Sequence, residues 1–139
     1  MATADIRLPV AGDADIVAAR QEARLMSKRL GFGLVDQSRI ATAVSELTRN
    51  VVRYATGGRG EVVIRELLIP PARRGLEIVV RDAGPGIADV DQALREGFSS
   101  GHGLGMGLPG TRRLMDEMQI ESASGSGTIV TIRKWLRTR

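Results

Sequence analysis

The apolar residues of this chain change period near residue 60, and that change dictates a helical layer followed by a β layer. Ile16, Ala19, Ala23, Met26 and Leu30 recur at helical spacing. They predict a helix over 13–30, with Asp13 or Asp15 as N-cap and Gly31 as its stop. Ile40, Val44, Leu47, Val51 and Tyr54 follow at steps of four, three, four and three. They predict a second helix over 35–55, started by Asp36 and stopped by Thr56-Gly57-Gly58. From residue 60 the pattern is β-branched. Val62-Val63-Ile64 and Leu76-Glu77-Ile78-Val79-Val80 predict strands over 60–69 and 75–82, with Pro70-Pro71 in the turn between them. A short strand is expected ahead of the helices, over 3–10.

Beyond Asp82 the chain reads differently. A short helix is expected over 89–96. Residues 97–107 contain five Gly and two Ser, which predicts a mobile loop. Pro109 suits the first turn of a helix over 109–118. Residues 118–124 and 127–136 predict a closing hairpin around Gly125-Ser126-Gly127. This order predicts an α+β two-layer sandwich, a mixed sheet with helices on one face, as a single domain over 1–139. Aromatic residues are only 3% of the chain, so the core must be aliphatic.

Composition removes several function classes. With no Cys, disulfides, thiol catalysis and cysteine metal sites are excluded. No apolar run approaches the roughly 18 residues of a membrane span, and no basic-then-apolar leader opens the chain, so a cytoplasmic location is the simplest expectation. The net charge is +4, from 18 Arg and 2 Lys against 16 acidic residues. These cations are scattered and lack aromatic neighbours for base stacking, so nucleic acid is not an expected partner.

Three stretches carry chemistry. Glu46 and Asn50 are four apart on a predicted helix and share a face at the edge of its apolar stripe. Asn50 offers an oxygen to a hard cation such as Mg²⁺, and Glu46 offers a proton acceptor. Asp82 ends a β run and is followed by Ala83-Gly84-Pro85-Gly86. A carboxylate there accepts donors, and Gly84 and Gly86 let a flat ring approach the backbone. Gly103, Gly105 and Gly107 leave backbone N–H groups free for phosphate oxygens just ahead of a helix. Gly105-Met106-Gly107-Leu108-Pro109-Gly110 matches a dinucleotide fingerprint in letters, but that fingerprint needs a preceding strand and here a loop precedes it. A P-loop is absent. His102, the only His, has no second ligand for a zinc site. Together the stretches point to an ATP site.

In their order and spacing these stretches resemble the GHKL superfamily, whose ATP-binding domains share the Bergerat, or histidine-kinase-like ATPase, fold. Glu46-x-x-x-Asn50 looks like its N box and Asp82-x-Gly84-x-Gly86 like its G1 box. Gly103-x-Gly105-x-Gly107 looks like its G2 box and lid, and Gly125-Ser126-Gly127-Thr128 like its last box. Asp15 to Gln21, Leu30-Gly31-Phe32-Gly33, Gly97-Phe98-Ser99, Arg113 to Glu117 and Lys134-Trp135-Leu136-Arg137 resemble the RsbT-type switch kinases of the anti-sigma-factor group.

That resemblance implies a serine/threonine-protein kinase using ATP and Mg²⁺. It implies Glu46 as catalytic base, Asn50 as Mg²⁺ ligand and Asp82 as reader of the adenine amino group. Gly84, Gly86 and Ile87 would line the adenine and Thr128 would hydrogen-bond near it. Gly103, Leu104, Gly105, Met106, Gly107 and Leu108 would close over the phosphates. The implied partners are a STAS-domain antagonist as phosphoryl acceptor, in stressosome-type signalling, and a PP2C-type phosphatase. The alternative is an ATP-dependent, anti-sigma-factor-like binding regulator without transfer. One departure stands out. Residues 97–107 carry no Arg or Lys, leaving Arg49, Arg53 or His102 as the cation near the terminal phosphate.

Overall fold

A computed structural model of the chain describes residues 5–54, 59–84, 108–122, 125 and 127–137. Among them are five strands and three helices: β1 (Ile6–Val10), α1 (Asp13–Leu30), α2 (Leu34–Tyr54), β2 (Gly60–Ile69), β3 (Arg73–Asp82), α3 (Leu108–Leu114), β4 (Glu117–Ser122) and β5 (Thr128–Trp135). The expected helix over 89–96 and the glycine-rich loop over 97–107 lie outside the described residues.

Helix ends follow local chemistry. At the start of α1 the Asp15 carboxylate reaches back to the backbone N–H groups of Ala11, at 2.8 Å, and Gly12, at 3.2 Å. Gly12 is the N-cap, so Asp15 caps from inside the first turn rather than from the N-cap position expected. At the other end Gly31 has φ 100°, the left-handed conformation that glycine adopts without strain. Its N–H bonds Lys28 O and that of Phe32 bonds Ser27 O. Two residues later α2 begins at Leu34, with Gly33 O accepting from Gln37 N at 2.9 Å.

The strands form one sheet in the order β1-β2-β3-β5-β4. Every pairing is antiparallel, which corrects the expected mixed sheet. The crossover carrying α3 does bring β4 parallel to β3, but β5 folds back between them and pairs with both. Helix α3 also stops earlier than the expected residue 118. Asp116 N already bonds Arg133 O in the sheet, and Lys134 Nζ takes the Leu114 carbonyl at 2.8 Å.

One face of the sheet carries the helices. Val62, Ile64, Leu76, Ile78, Val80, Val130 and Ile132 pack there against Ala19, Ala23, Met26, Ile40, Val44, Leu47 and Val51. From Ile40 to Val51 the apolar stripe of α2 is at most 2% exposed, and each such side chain stabilises the fold by roughly 1.5–3 kcal/mol. On the opposite face a row of alternating charge crosses the sheet from Asp5, just before β1, to Glu117 on β4. Arg65 lies 3.7 Å from Asp5 and 3.4 Å from Glu77, and Arg133 lies 2.7 Å from Glu77 and 3.3 Å from Glu117. Beside this row Val63 and Val79 are buried, consistent with arginine stems lying along the sheet.

Candidate functional site

Asp82 closes β3 at the sheet end where β2 begins and β5 begins. Gly60 and Thr128 are its partners on either side. Its Oδ1 accepts the Gly84 N–H at 2.8 Å, folding the chain back as β3 ends. Burial raises the Asp82 carboxyl above the usual carboxylate range, against the opposing pull of the Gly84 and Thr128 backbone N–H groups. An ionised carboxylate has about four acceptor positions, so two N–H partners leave capacity for a further donor.

Two glycines let this corner close. A Cβ on Gly127 would overlap the Asp82 carbonyl oxygen and stand 3.1 Å from Ala83 Cα, and Gly127 has φ 79°. A Cβ on Gly60 would overlap the Arg81 carbonyl oxygen and stand 2.8 Å from Val51 Cγ1. Through that second contact the last turns of α2, which carry Asn50, sit against the same sheet end as Asp82.

Thr128 is 9% exposed, and its Oγ1 lies 2.9 Å from Ser122 Oγ across the β4–β5 ladder. Ser122 donates to Gly127 O at 2.9 Å, which fixes the glycine turn against the strand. Sequence reasoning missed Ser122. The only signal for it is its place at the end of the predicted strand before Gly125-Ser126-Gly127.

On α2 the hydroxyls nearest Glu46 are satisfied within the helix, Ser45 on Ala41 O at 2.9 Å and Thr48 on Val44 O at 2.7 Å. Arg20 of α1 donates to Ser45 Oγ at 3.1 Å, tying the two helices at this turn. Glu46 and Asn50 are both half-buried, on the flank of the apolar stripe as their spacing predicts. Asn50 has an interaction of its own, and Glu46 Oε1 accepts from Arg49 Nη1 at 2.9 Å.

Asp82, Gly84, Gly127 and Thr128 are thus gathered at one corner, with the Asn50 turn of α2 held to the same end. Gly86, Ile87, Gly103, Leu104, Gly105, Met106 and Gly107 lie outside the described residues. Leu108, at the start of α3, is 2% exposed and turns its side chain into the core. Thr111, one turn on, is 1% exposed, and its hydroxyl has no hydrogen-bond partner among the described residues. A Mg²⁺ ion shared by one carboxamide oxygen, phosphate oxygens and water needs no carboxylate cage. No group of three or more His, Cys, Asp or Glu that could hold a metal is present among the described residues. No helix there is long and apolar enough to cross a membrane.

The histidine kinase-like ATPase domain matches residues 10–134. The serine/threonine-protein kinase RsbT of Bacillus subtilis is 51% identical over 123 residues, covering 88% of this chain and 90% of that protein. An anti-sigma F factor of Caldanaerobacter subterraneus is 34% identical over 101 residues, covering 70% of this chain and 68% of that one. Among solved structures, the RsbU and RsbW domains of a Mycobacterium tuberculosis protein align with a TM-score of 0.63 at 20% identity, over 99% of this chain and 34% of theirs. The mycobacterial sensor histidine kinase MprB aligns with a TM-score of 0.58 at 20% identity, over 98% of this chain and 100% of that one. These two alignments speak for the fold.

Proposed function

This chain belongs to the histidine kinase-like ATPase domain family, and we propose that it is a serine/threonine-protein kinase working as a partner-switching regulator. The observation that carries this reading is the 51% identity to the kinase RsbT over 88% of the chain. The corner formed by Asp82, Gly84 and Thr128 supports it, because a partly desolvated carboxylate with spare acceptor capacity suits the exocyclic amine of adenine. In the proposed reaction the hydroxyl oxygen of a partner Ser or Thr attacks the γ-phosphorus of ATP. The bond to the β–γ bridging oxygen breaks, ADP leaves with that electron pair, and Glu46 takes the hydroxyl proton. Asn50 would hold Mg²⁺ by its carboxamide oxygen, and the ion would offset phosphate charge. Gly84, Gly86 and Ile87 would line the adenine, Thr128 would bond near it, and Gly103 to Gly107 would close on the phosphates, with Leu108 anchoring the end of that segment in the core.

The finer proposal is that the acceptor is a STAS-domain antagonist in a cytoplasmic, stressosome-type pathway, and that a PP2C-type phosphatase is the second partner. A second reading, ATP-dependent binding without transfer, draws on the anti-sigma F factor relatives at 34% identity. Incubation with γ-labelled ATP, Mg²⁺ and a candidate STAS protein separates the two. Label on a Ser or Thr of the partner supports the kinase, and complex formation without label supports the regulator.

A further inference from the structure

Arg49 Nη1 stands 2.9 Å from Glu46 Oε1, with the two side chains 35% and 37% exposed. At about 100° per residue, positions 46, 49 and 50 span an arc of roughly 100° on α2, with Glu46 between Arg49 and Asn50. A phosphate close enough to share a cation with Asn50 therefore lies within reach of a long side chain at 49. The sequence makes that reach consequential, since residues 97–107 bring no Lys or Arg of their own.

We infer that Arg49 is a two-position cation, exchanging between the Glu46 carboxylate and the terminal phosphate of ATP, so that the nucleotide itself frees the base. The inference rests on the kinase reading and on Glu46 as proton acceptor. An i,i+3 pair this exposed is weak, because water screens it and two side chains must be ordered to keep it. A terminal phosphate offers more charge and two oxygens to the planar guanidinium fork, which it matches better than a single carboxylate contact does. Exchange therefore runs toward the phosphate. Glu46 Oε1, held by Arg49 in the ion pair, is released to face an incoming hydroxyl when that phosphate draws the guanidinium away. ADP lacks it and leaves the pair closed.

The test is calorimetric titration of the full chain in Mg²⁺ with ADP and with an ATP analogue carrying an imido bridge between the β and γ phosphorus atoms. The expected result is a wild-type preference for the analogue that falls about tenfold or more in Arg49→Ala. Arg49→Lys retains part of the preference. Glu46→Gln, which removes the competing charge, increases it. Thermal denaturation confirms that each variant is folded, as an exposed pair allows. An unchanged preference in Arg49→Ala, or its loss in Arg53→Ala instead, overturns the inference and leaves the kinase reading standing. A wild-type protein that binds neither nucleotide overturns both.

Discussion

The Asp82 carboxylate is tied to its own chain, with Oδ1 accepting the Gly84 backbone N–H at 2.8 Å. Burial holds its pKa above the ordinary value of 3.8. A raised acid is favoured in its protonated form by folding, so its contribution to stability is present at low pH and lost as pH rises through the folded-state pKa. Asn at this position keeps an oxygen for Gly84 and carries no charge. Asp82→Asn should match the wild type near pH 3 and be the more stable of the two at pH 7 by thermal denaturation. The same substitution should weaken ATP binding about ten- to hundredfold, the worth of a hydrogen bond to a charged group. Lost stability together with unchanged ATP affinity would contradict both halves.

Gly125 and Gly127 have nearly the same positive φ, 80° and 79°, yet different surroundings. A Cβ on Gly125 meets nothing within 4 Å, whereas one on Gly127 overlaps the Asp82 carbonyl. Gly125→Ala should cost about 1 kcal/mol through backbone strain alone. Gly127→Ala adds a steric clash and should cost roughly 3 kcal/mol or more, weakening nucleotide binding as the corner opens. Urea midpoints of the two variants, measured side by side, decide this. Equal losses would mean that the close approach is relieved cheaply.

Glu77 joins Arg65 and Arg133 on the sheet face away from the helices, with its side chain 8% exposed. Breaking a fully buried pair costs roughly 3–5 kcal/mol. The two arginines here are 35% and 37% exposed, so solvent screening reduces the expected loss for Glu77→Gln to about 1–2 kcal/mol. Nucleotide affinity should not change. A large affinity loss would show that this face is coupled to the Asp82 corner.

Thr111→Val replaces a buried hydroxyl that has no partner among the described residues by a group of similar shape. Stability should rise by roughly 1 kcal/mol, the cost of a desolvated and unpaired polar group. A melting temperature below that of the wild type would mean the hydroxyl is satisfied in solution.

Local chemistry made part of this legible. Gly31 ends α1 because the left-handed position demands glycine, and the stripe from Ile40 to Val51 faces the core as its spacing says. The long-range choices were not legible. Met115 and Met118 continue a helical spacing, but the pairing of Asp116 with Arg133 ends α3 at Leu114. β3 starts at Arg73, two residues early, because Arg73 and Arg74 pair with Ile69 and Leu68 despite their polarity. The insertion of β5 between β3 and β4 is a tertiary choice with no local signature. At the site, Asp82 and Thr128 are marked by glycine neighbours. Ser122 is set by cross-strand register and the burial of Thr111 by packing of α3 on the core, which periodicity does not encode. The Arg49–Glu46 pair, by contrast, is an i,i+3 relation that the helix period carries.

The central claim is tested most directly by the rate of γ-phosphate transfer from ATP to a Ser or Thr of a STAS-domain partner, in the wild type and in Glu46→Ala, with nucleotide binding measured in parallel. The account predicts a labelled partner with the wild type, and a rate about 10²–10⁴-fold lower in Glu46→Ala with ATP still bound, the range for loss of a general base. Transfer at the wild-type rate by Glu46→Ala, or an unlabelled partner in stable complex with the ATP-bound wild type, would contradict it.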